Sequence, residues 1–400
     1  MSLLQPKMLR PMSTSEAIAY AVKQANVDVI AAYPITPQTI IVERLSEYVN
    51  NGELDAEYVA VESEHSAMSA CVAASLTGAR VFTSTASQGL ALMHEVLYVA
   101  SSLRCPIVMA IANRALSAPI NIHCDHSDVM GSRDAGWVHI FVENGQQAYD
   151  RVFQAFRLAE DEDVLLPVGI NLDGFFLSHA VEGIATISDS KAATFLPPRK
   201  AKYYVDSSMP MTFGAFALPD WYFEIKHQVA IAMEKVPKKL EEVEKLYYQM
   251  TGRIYGHVGA YKTEDAEVGL VCAGSAAGTA KYAVSRLREK GIKAGLLSIR
   301  LFRPFPVESI LPHVKDMRAL VVMDRAMSPG APSAPIGQDI KTMLYDAGLR
   351  RNIPVVNFVY GLGGRDISAA EFEEIVTKVA KDVKARRRIQ RGTIYWGLRS

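Results

Sequence analysis

The sequence predicts an α/β chain: a doubly wound, mostly parallel sheet followed by a second α/β unit. Three observations carry this reading. Short apolar runs of strand length alternate with helical stripes as far as Ile170. Repeated strand–helix units of that length imply parallel pairing through helical crossovers. The pattern weakens between residues 180 and 260 and resumes near Glu267.

The elements follow in order. Ser13 and Glu16 have capping-box spacing ahead of a stripe of Ala17, Ile18, Ala21, Val22 and Ala25. Residues 27–33 read as a strand. Thr36 then reads as an N-cap with Pro37 at the first helical position, and Ile41, Leu45, Tyr48 and Val49 form the apolar face. Residues 58–61 are a strand, 64–76 a small-residue helix stopped by Gly78, 80–83 a strand and 89–101 a helix. Strands at 106–112, 138–142 and 165–170 complete the set, with a helix at 146–160. Ligands in such sheets sit at the carboxyl ends of the strands. The loops after Tyr33, Val61, Thr83 and Ala112 are therefore expected to share one edge.

Leu196-Pro197-Pro198-Arg199 and Met209-Pro210-Met211 read as irregular crossings, and 238–250 as a charged helix, so 181–260 looks like a connector wrapping the first domain. The second unit comprises strands at 268–272, 294–298, 319–323 and 355–358, a helix at 276–290, and a turn at Arg303-Pro304-Phe305-Pro306. A final helix from Ala369 has a basic end over 381–391. The expected division is 1–180, 181–260, 261–368 and 369–400.

Composition limits the function classes. The 400 residues are 49% hydrophobic and 22% charged, ordinary globular values that suit two or three domains. Lys plus Arg equals Asp plus Glu at 43 each, so no basic surplus points to nucleic acid. Such a neutral chain gains little from self-repulsion, which favours assembly with partners. There is no apolar run of about 18 residues that would read as a membrane span, and residues 1–11 have no apolar signal core. Cys71, Cys105, Cys124 and Cys272 are scattered, as in a reducing cytoplasm. None forms a CxxC pair, so an iron–sulfur cluster held by this chain alone is not expected.

Four segments carry candidate chemistry. In Ala32-Tyr33-Pro34-Ile35-Thr36-Pro37-Gln38-Thr39 two prolines bracket a hydroxyl at the sheet edge, although a plain helix cap also accounts for Thr36. In Val61-Glu62-Ser63-Glu64-His65 a carboxylate opens a helix where ligands bind, and helix-terminal electrostatics alone would place one there. Thr83-Ser84-Thr85-Ala86-Ser87-Gln88-Gly89 supplies small hydroxyls and a glycine for close approach to a ligand; a polar turn reads almost the same. Arg114 ends a strand, which suits bidentate capture of a carboxylate. Beyond it, His123-Cys124-Asp125-His126 invites a metal reading, yet neighbouring residues do not easily all face one ion, and no metal is assigned. Cys272-Ala273-Gly274-Ser275 matches no phosphate-loop pattern and reads as close strand–helix packing.

In this order and spacing these segments resemble the α chain of multi-subunit pyruvate and related 2-oxoacid:ferredoxin oxidoreductases. The resemblance rests on AYPITPQT (32–39), ESEHSA (62–67), TSTASQGLALMHE (83–95), NRALSAPINIHCDHSD (113–128), LPDWYFE (218–224), RPFP (303–306) and GLGGRD (361–366). It implies a thiamine pyrimidine-binding domain followed by a transketolase C-terminal-type domain. It implies that Glu64 contacts the aminopyrimidine ring of thiamine diphosphate, that Thr36 touches the 2-oxoacid, and that Arg114 holds its carboxylate. Tyr33, Pro34, Ser87 and Gln88 join Glu64 as implied cofactor contacts.

The implied reaction is oxidative decarboxylation of pyruvate with coenzyme A, reducing ferredoxin, and it is reversible. The chain has no GDG segment for Mg²⁺ and the diphosphate. The resemblance places that half and a [4Fe–4S] cluster on a β subunit, with further clusters on a ferredoxin-like δ subunit beside a γ subunit. A branched-chain 2-oxoacid such as 2-oxoisovalerate is the alternative substrate. From another class, a non-catalytic scaffold subunit is the alternative, disfavoured by retention of Glu64, Thr36 and Arg114.

Overall fold

A computed structural model describes residues 9–349, 353–385, 387 and 392–399. Strand β1 (Leu9–Ser13) leads into α1 (Thr14–Gln24), and then β2 (Val29–Ala32), α2 (Thr39–Asn50), β3 (Glu57–Ala60), α3 (Glu64–Leu76), β4 (Val81–Thr85), α4 (Ser87–Leu92), α5 (His94–Ser102) and β5 (Ile107–Asn113) alternate. The chain continues through α6 (Ser127–Ser132), β6 (Val138–Phe141), α7 (Gly145–Ala159), β7 (Val168–Asp173), β8 (Val181–Ala185), α8 (Asp189–Phe195) and α9 (Pro219–Thr251). The remainder comprises β9 (Val258–Tyr261), β10 (Val268–Ala273), α10 (Ala276–Glu289), β11 (Ala294–Ile299), β12 (Leu301–Arg303), α11 (Val307–Val314), β13 (Ala319–Asp324), α12 (Pro335–Asp346), β14 (Val355–Val359), α13 (Ala369–Lys384) and β15 (Thr393–Tyr395).

Two sheets organise these elements. The first has seven strands in the order β12-β6-β7-β5-β4-β2-β3, and the second six in the order β15-β14-β13-β10-β11-β9. Within the first, every pairing from β6 to β3 is parallel, so the carboxyl ends of β2, β3, β4 and β5 do share one edge. The fold class is the expected one. Continuous apolar runs on β4, β5 and β7 fit strands covered by helices on both faces. One face packs under α1, α7 and α9 around Ile18, Phe153, Phe156 and Leu240. The other joins Met68, Leu97 and Phe141 to Val271, Leu297 and Phe302, so the two sheets share a core.

Several expectations need correcting. Thr36 is not an N-cap: α2 begins at Thr39 with Gln38 before it. The buried Gln38 side chain is spent across the strands, its Nε2 donating to Ser84 O at 2.8 Å and Tyr33 O at 3.1 Å, and this holds the Pro-bracketed turn off the helix. The expected 89–101 helix is two, broken at Met93. The connector is more regular than its sequence suggests. β8 pairs antiparallel with β1, which the sequence reading lacked.

The expected 238–250 helix is in fact the 33-residue α9, which runs through Pro237. An internal proline costs about 3 kcal/mol. Burial of Ala232, Val236, Leu240, Val243 and Tyr247 along one stripe outweighs that, at about 1.5–3 kcal/mol per large apolar side chain. A buried pair between Arg151 of α7 and Glu244 of α9, 2.5 Å apart, fixes the helix in place. Part of the expected basic end, residues 386 and 388–391, lies outside the described residues. Finally, β12 belongs to the first sheet, pairing antiparallel with β6 although its sequence lies in the second unit.

Candidate active site at the carboxyl edge of the first sheet

Glu64 is the first residue of α3, just past β3, and Ser63 caps that helix by accepting from Ser66 N at 3.2 Å. The Glu64 side chain is 7% exposed. Its carboxylate has no hydrogen-bond or ion-pair partner among the described residues. Gly89 faces it across the edge. A Cβ on Gly89 would fall 2.4 Å from Thr85 Oγ1 and 2.7 Å from Glu64 Oε1, so only glycine leaves room for the acid. Thr85 Oγ1, which shares the Gly89 cradle, lacks a partner, and so do Gln88 Nε2, Ser84 Oγ and Gln38 Oε1 elsewhere along the same end of the sheet. Buried polar groups are ordinarily paired. Unpaired buried polar atoms at the carboxyl end of the strands, one of them in the same cradle as an unpaired carboxylate, mark a candidate site for a polar ligand.

Arg114 ends β5 and is 7% exposed. Its Nη1 donates to Thr36 O and its Nε to Asn121 O, both at 3.0 Å. Burial lowers its pKa, and the nearby Asp128 opposes that shift. Among the described residues Nη2 has no protein partner, so one arm of the fork can still take a carboxylate. Thr36 is exposed, with its carbonyl held by Arg114. Tyr33 is 38% exposed and Pro34 is exposed beside it. Ser87 is fully buried at φ 48, with its hydroxyl 2.5 Å from both Ala115 O and Gln88 Oε1.

Asp128 ties these pieces together, and sequence reading missed it. Its carboxylate accepts from Ser87 N and Arg114 N at 3.0 Å, from Asn113 Nδ2 at 3.0 Å and from Val129 N at 2.7 Å. Burial pushes its pKa up, and these four donors oppose that. One carboxylate thereby fixes the loops after β4 and β5 relative to each other. Every expected site residue thus lies on this edge. Thr36 and Arg114 are in direct contact. Glu64 touches neither, and is joined to them through Gly89, Ser87 and Asp128.

The second sheet closes against the same region. Asp173, at the end of β7, lies 2.8 Å from His126 Nε2 and accepts from Arg325 Nη1 at 2.9 Å, from Ser275 Oγ at 2.5 Å and from Ser275 N at 3.1 Å. Gly274 packs so closely there that a Cβ would lie 2.5 Å from Asp173 Oδ1, so the Gly274-Ser275 turn serves packing between the sheets. Donor atoms of Cys124, His126 and Asp173 gather within 4.8 Å of one another. Arg325 Nη1 reaches that cluster, 3.6 Å from Cys124 Sγ, and supplies the positive charge a cation would bring. Burial keeps Cys124 a thiol. From the second unit, Gly363 O accepts from Asn121 Nδ2 at 3.0 Å, and Asn121 is the residue whose carbonyl holds Arg114.

Comparison with known proteins identifies the family. Residues 20–245 match the family described as pyruvate flavodoxin/ferredoxin oxidoreductase, thiamine diphosphate-binding, and residues 266–372 match pyruvate:ferredoxin oxidoreductase core domain II. The pyruvate synthase subunit PorA of Methanocaldococcus jannaschii is 47% identical over 93% of this chain and 95% of its own. That of Thermotoga maritima is 50% identical over 88% and 90%. The ketoisovalerate oxidoreductase subunit VorA of Pyrococcus abyssi is 41% identical over 94% of each. Among solved structures, 2-oxoglutarate:ferredoxin oxidoreductase from Magnetococcus marinus superposes with a TM-score of 0.69 at 19% identity, covering 95% of this chain and 66% of that one. A split-gene transketolase superposes at 0.55 and 13% identity, covering 93% and 99%. With family models matching most of its length and relatives aligned over nine-tenths or more of theirs, the chain belongs to the 2-oxoacid:ferredoxin oxidoreductase family, as an α subunit of its multi-subunit, pyruvate-type enzymes.

Proposed function

We propose that Glu64, Thr36 and Arg114 are the catalytic residues this subunit contributes to oxidative decarboxylation of pyruvate, in a cytoplasmic complex that passes electrons to ferredoxin and the acyl group to coenzyme A. The observation that carries this is the unpaired Glu64 carboxylate beside the glycine cradle and the orphaned polar atoms. Those residues fit the aminopyrimidine end of thiamine diphosphate, which supplies a nucleophilic carbon for attack on the 2-oxo group. Glu64 would accept a hydrogen bond from a ring nitrogen, and Gln88 Nε2 and Gln38 Oε1 are an unpaired donor and an unpaired acceptor on the same sheet edge. Tyr33, Pro34 and Ser87 border the same space. Arg114, held by two carbonyls, presents its free Nη2 to the substrate carboxylate. The exposed Thr36 hydroxyl, beside Arg114, would be free to contact the 2-oxoacid.

The diphosphate, Mg²⁺ and the [4Fe–4S] clusters are assigned to partner chains, the β subunit and a ferredoxin-like δ subunit, with a γ subunit completing the assembly. This chain has no GDG segment and no clustered cysteines of its own. Residues 1–180 and 261–368 are proposed as the pyrimidine-binding and transketolase C-terminal-type domains, joined by 181–260 and followed by a tail over 369–400. Pyruvate is preferred over 2-oxoisovalerate because the pyruvate synthase subunits match at higher identity than the ketoisovalerate subunit.

The test is to purify the assembled complex and assay coenzyme A-dependent viologen reduction with a panel of 2-oxoacids. Pyruvate should be turned over fastest, and Glu64→Gln should lower turnover at least about 10²-fold, as for a lost acid–base group. Near-normal turnover by that variant would remove Glu64 from the reaction. Faster turnover of a branched-chain acid would reassign the substrate.

A further inference from the structure

A cavity of about 1110 Å³ opens at the amino ends of β4 and β5, the opposite end of the sheet from Glu64. Arg104, Arg157, Arg199, Lys200 and Lys202 line it. None of the five forms an ion pair among the described residues. The three guanidiniums are oriented by backbone carbonyls instead. Arg104 donates to Leu165 O at 3.1 Å and Val164 O at 2.5 Å. Arg157 donates to Phe195 O, and Arg199 to Ala79 O and, at 3.4 Å, to Ser75 O. Carbonyls aim these groups without neutralising them.

The acids of the same wall are already engaged or face water. Glu160 is gripped by both arms of Arg80 at 2.7 and 2.9 Å, Asp161 pairs with Lys239 at 3.2 Å, and Glu162 is exposed. Burial lowers the pKa of Arg104 and Arg199, the expected result for cations partly withdrawn from water; at Arg199 the charge of Glu160, already gripped by Arg80, opposes the shift without reversing it. Between the cations the wall is apolar, formed by Leu103, Phe195, Leu196, Tyr203 and Phe213, and Arg157 lies 5.1 Å from the centre of the Phe195 ring.

We propose that this cavity binds a nucleoside diphosphate or a close phosphate-bearing analogue. Unneutralised arginines held in fixed orientation suit phosphate oxygens. Flat apolar walls suit a base, and the volume suits a ligand of that size. At the far end of the sheet from Glu64, the bound molecule would be separate from the 2-oxoacid being turned over.

The test is calorimetric titration of the assembled complex with ADP, the cavity variants below separating this site from any adenosine pocket elsewhere in the complex. ADP should bind saturably, inorganic phosphate more weakly, and adenosine without detectable heat. Arg199→Gln and the double variant Lys200→Glu, Lys202→Glu should each weaken ADP at least about tenfold, the cost of one lost charge-assisted contact. If Arg199→Gln fails to fold, the exposed lysine pair decides the matter. Absence of saturable ADP binding, or ADP affinity unchanged in the lysine variant, would overturn the site.

Discussion

Gly89 shows how narrowly the site constrains its own residues. A methyl group there would overlap both Thr85 Oγ1 and Glu64 Oε1. The neighbours cannot yield cheaply, because Thr85 sits in a fully buried strand and Glu64 is pinned at the start of a capped helix. Gly89→Ala is therefore expected to cost about 1–3 kcal/mol of stability, the usual range for overpacking. It should also lower kcat/KM at least about tenfold by displacing the acid. Steady-state kinetics on a variant still folded by circular dichroism checks this, and unchanged kcat/KM would mean that Glu64 has more freedom than its packing indicates. Asp128 acts at the same scale as a positioning residue, since its oxygens anchor the backbones of Ser87 and Arg114.

Among the elements, β6 offers a pH test. His139 on that strand is buried against Arg303 of β12, and burial first, then the Arg303 charge, push its pKa down to about 3. An unfolded histidine titrates near its ordinary value of 6.5. Below that pH the unfolded chain takes up a proton that the folded chain refuses until about pH 3. The neutral ring therefore contributes stability above pH 6.5 that is lost progressively as the pH falls toward 3. His139→Gln should flatten the fall in thermal midpoint between pH 6.5 and 4, and a slope matching the parent protein would show that His139 is not the group responsible.

Elements also show where sequence reading succeeded. The helix 64–76 and the parallel strand set were legible because their apolar spacing and stops are local. Arg114 was legible at the end of its strand and Glu64 at the start of its helix, whereas Thr36, read as a helix cap, lies ahead of the helix. What escaped was non-local. The start of α2 depends on Gln38 reaching Ser84, 46 residues away. The passage of α9 through Pro237 depends on a buried stripe supplied by other helices. Asp128 was indistinguishable from any helix-start acid until its partners were placed, and Asp173, Ser275 and Arg325 meet only because two sheets do.

At the scale of the molecule, that last group is the electrostatic joint. Burial pushes Asp173 up, and His126 and Arg325 more than offset it, holding its carboxyl well below the usual carboxylate range. Removing one partner of a buried pair strands the other charge, at about 3–5 kcal/mol. Arg325→Met is accordingly expected to lower the unfolding free energy measured by urea titration by that much. The double variant Asp173→Asn, Arg325→Met, which buries no lone charge, should recover part of the loss. A double variant less stable than Arg325→Met alone would show that packing around the joint, and not its charge, carries the effect.

The seventh strand of the first sheet, β12, is drawn from the far side of the linker and covers one flank of β6. Without it, the outer rim of that sheet would be a row of four buried, mostly apolar residues, Val138–Phe141, with unsatisfied amide and carbonyl groups. Rims of this kind recruit other chains. The two halves of the polypeptide are thus not interchangeable cassettes. A gene cut at the obvious seam would release a sticky amino-terminal piece, so keeping both halves in one reading frame guards the first sheet against self-association.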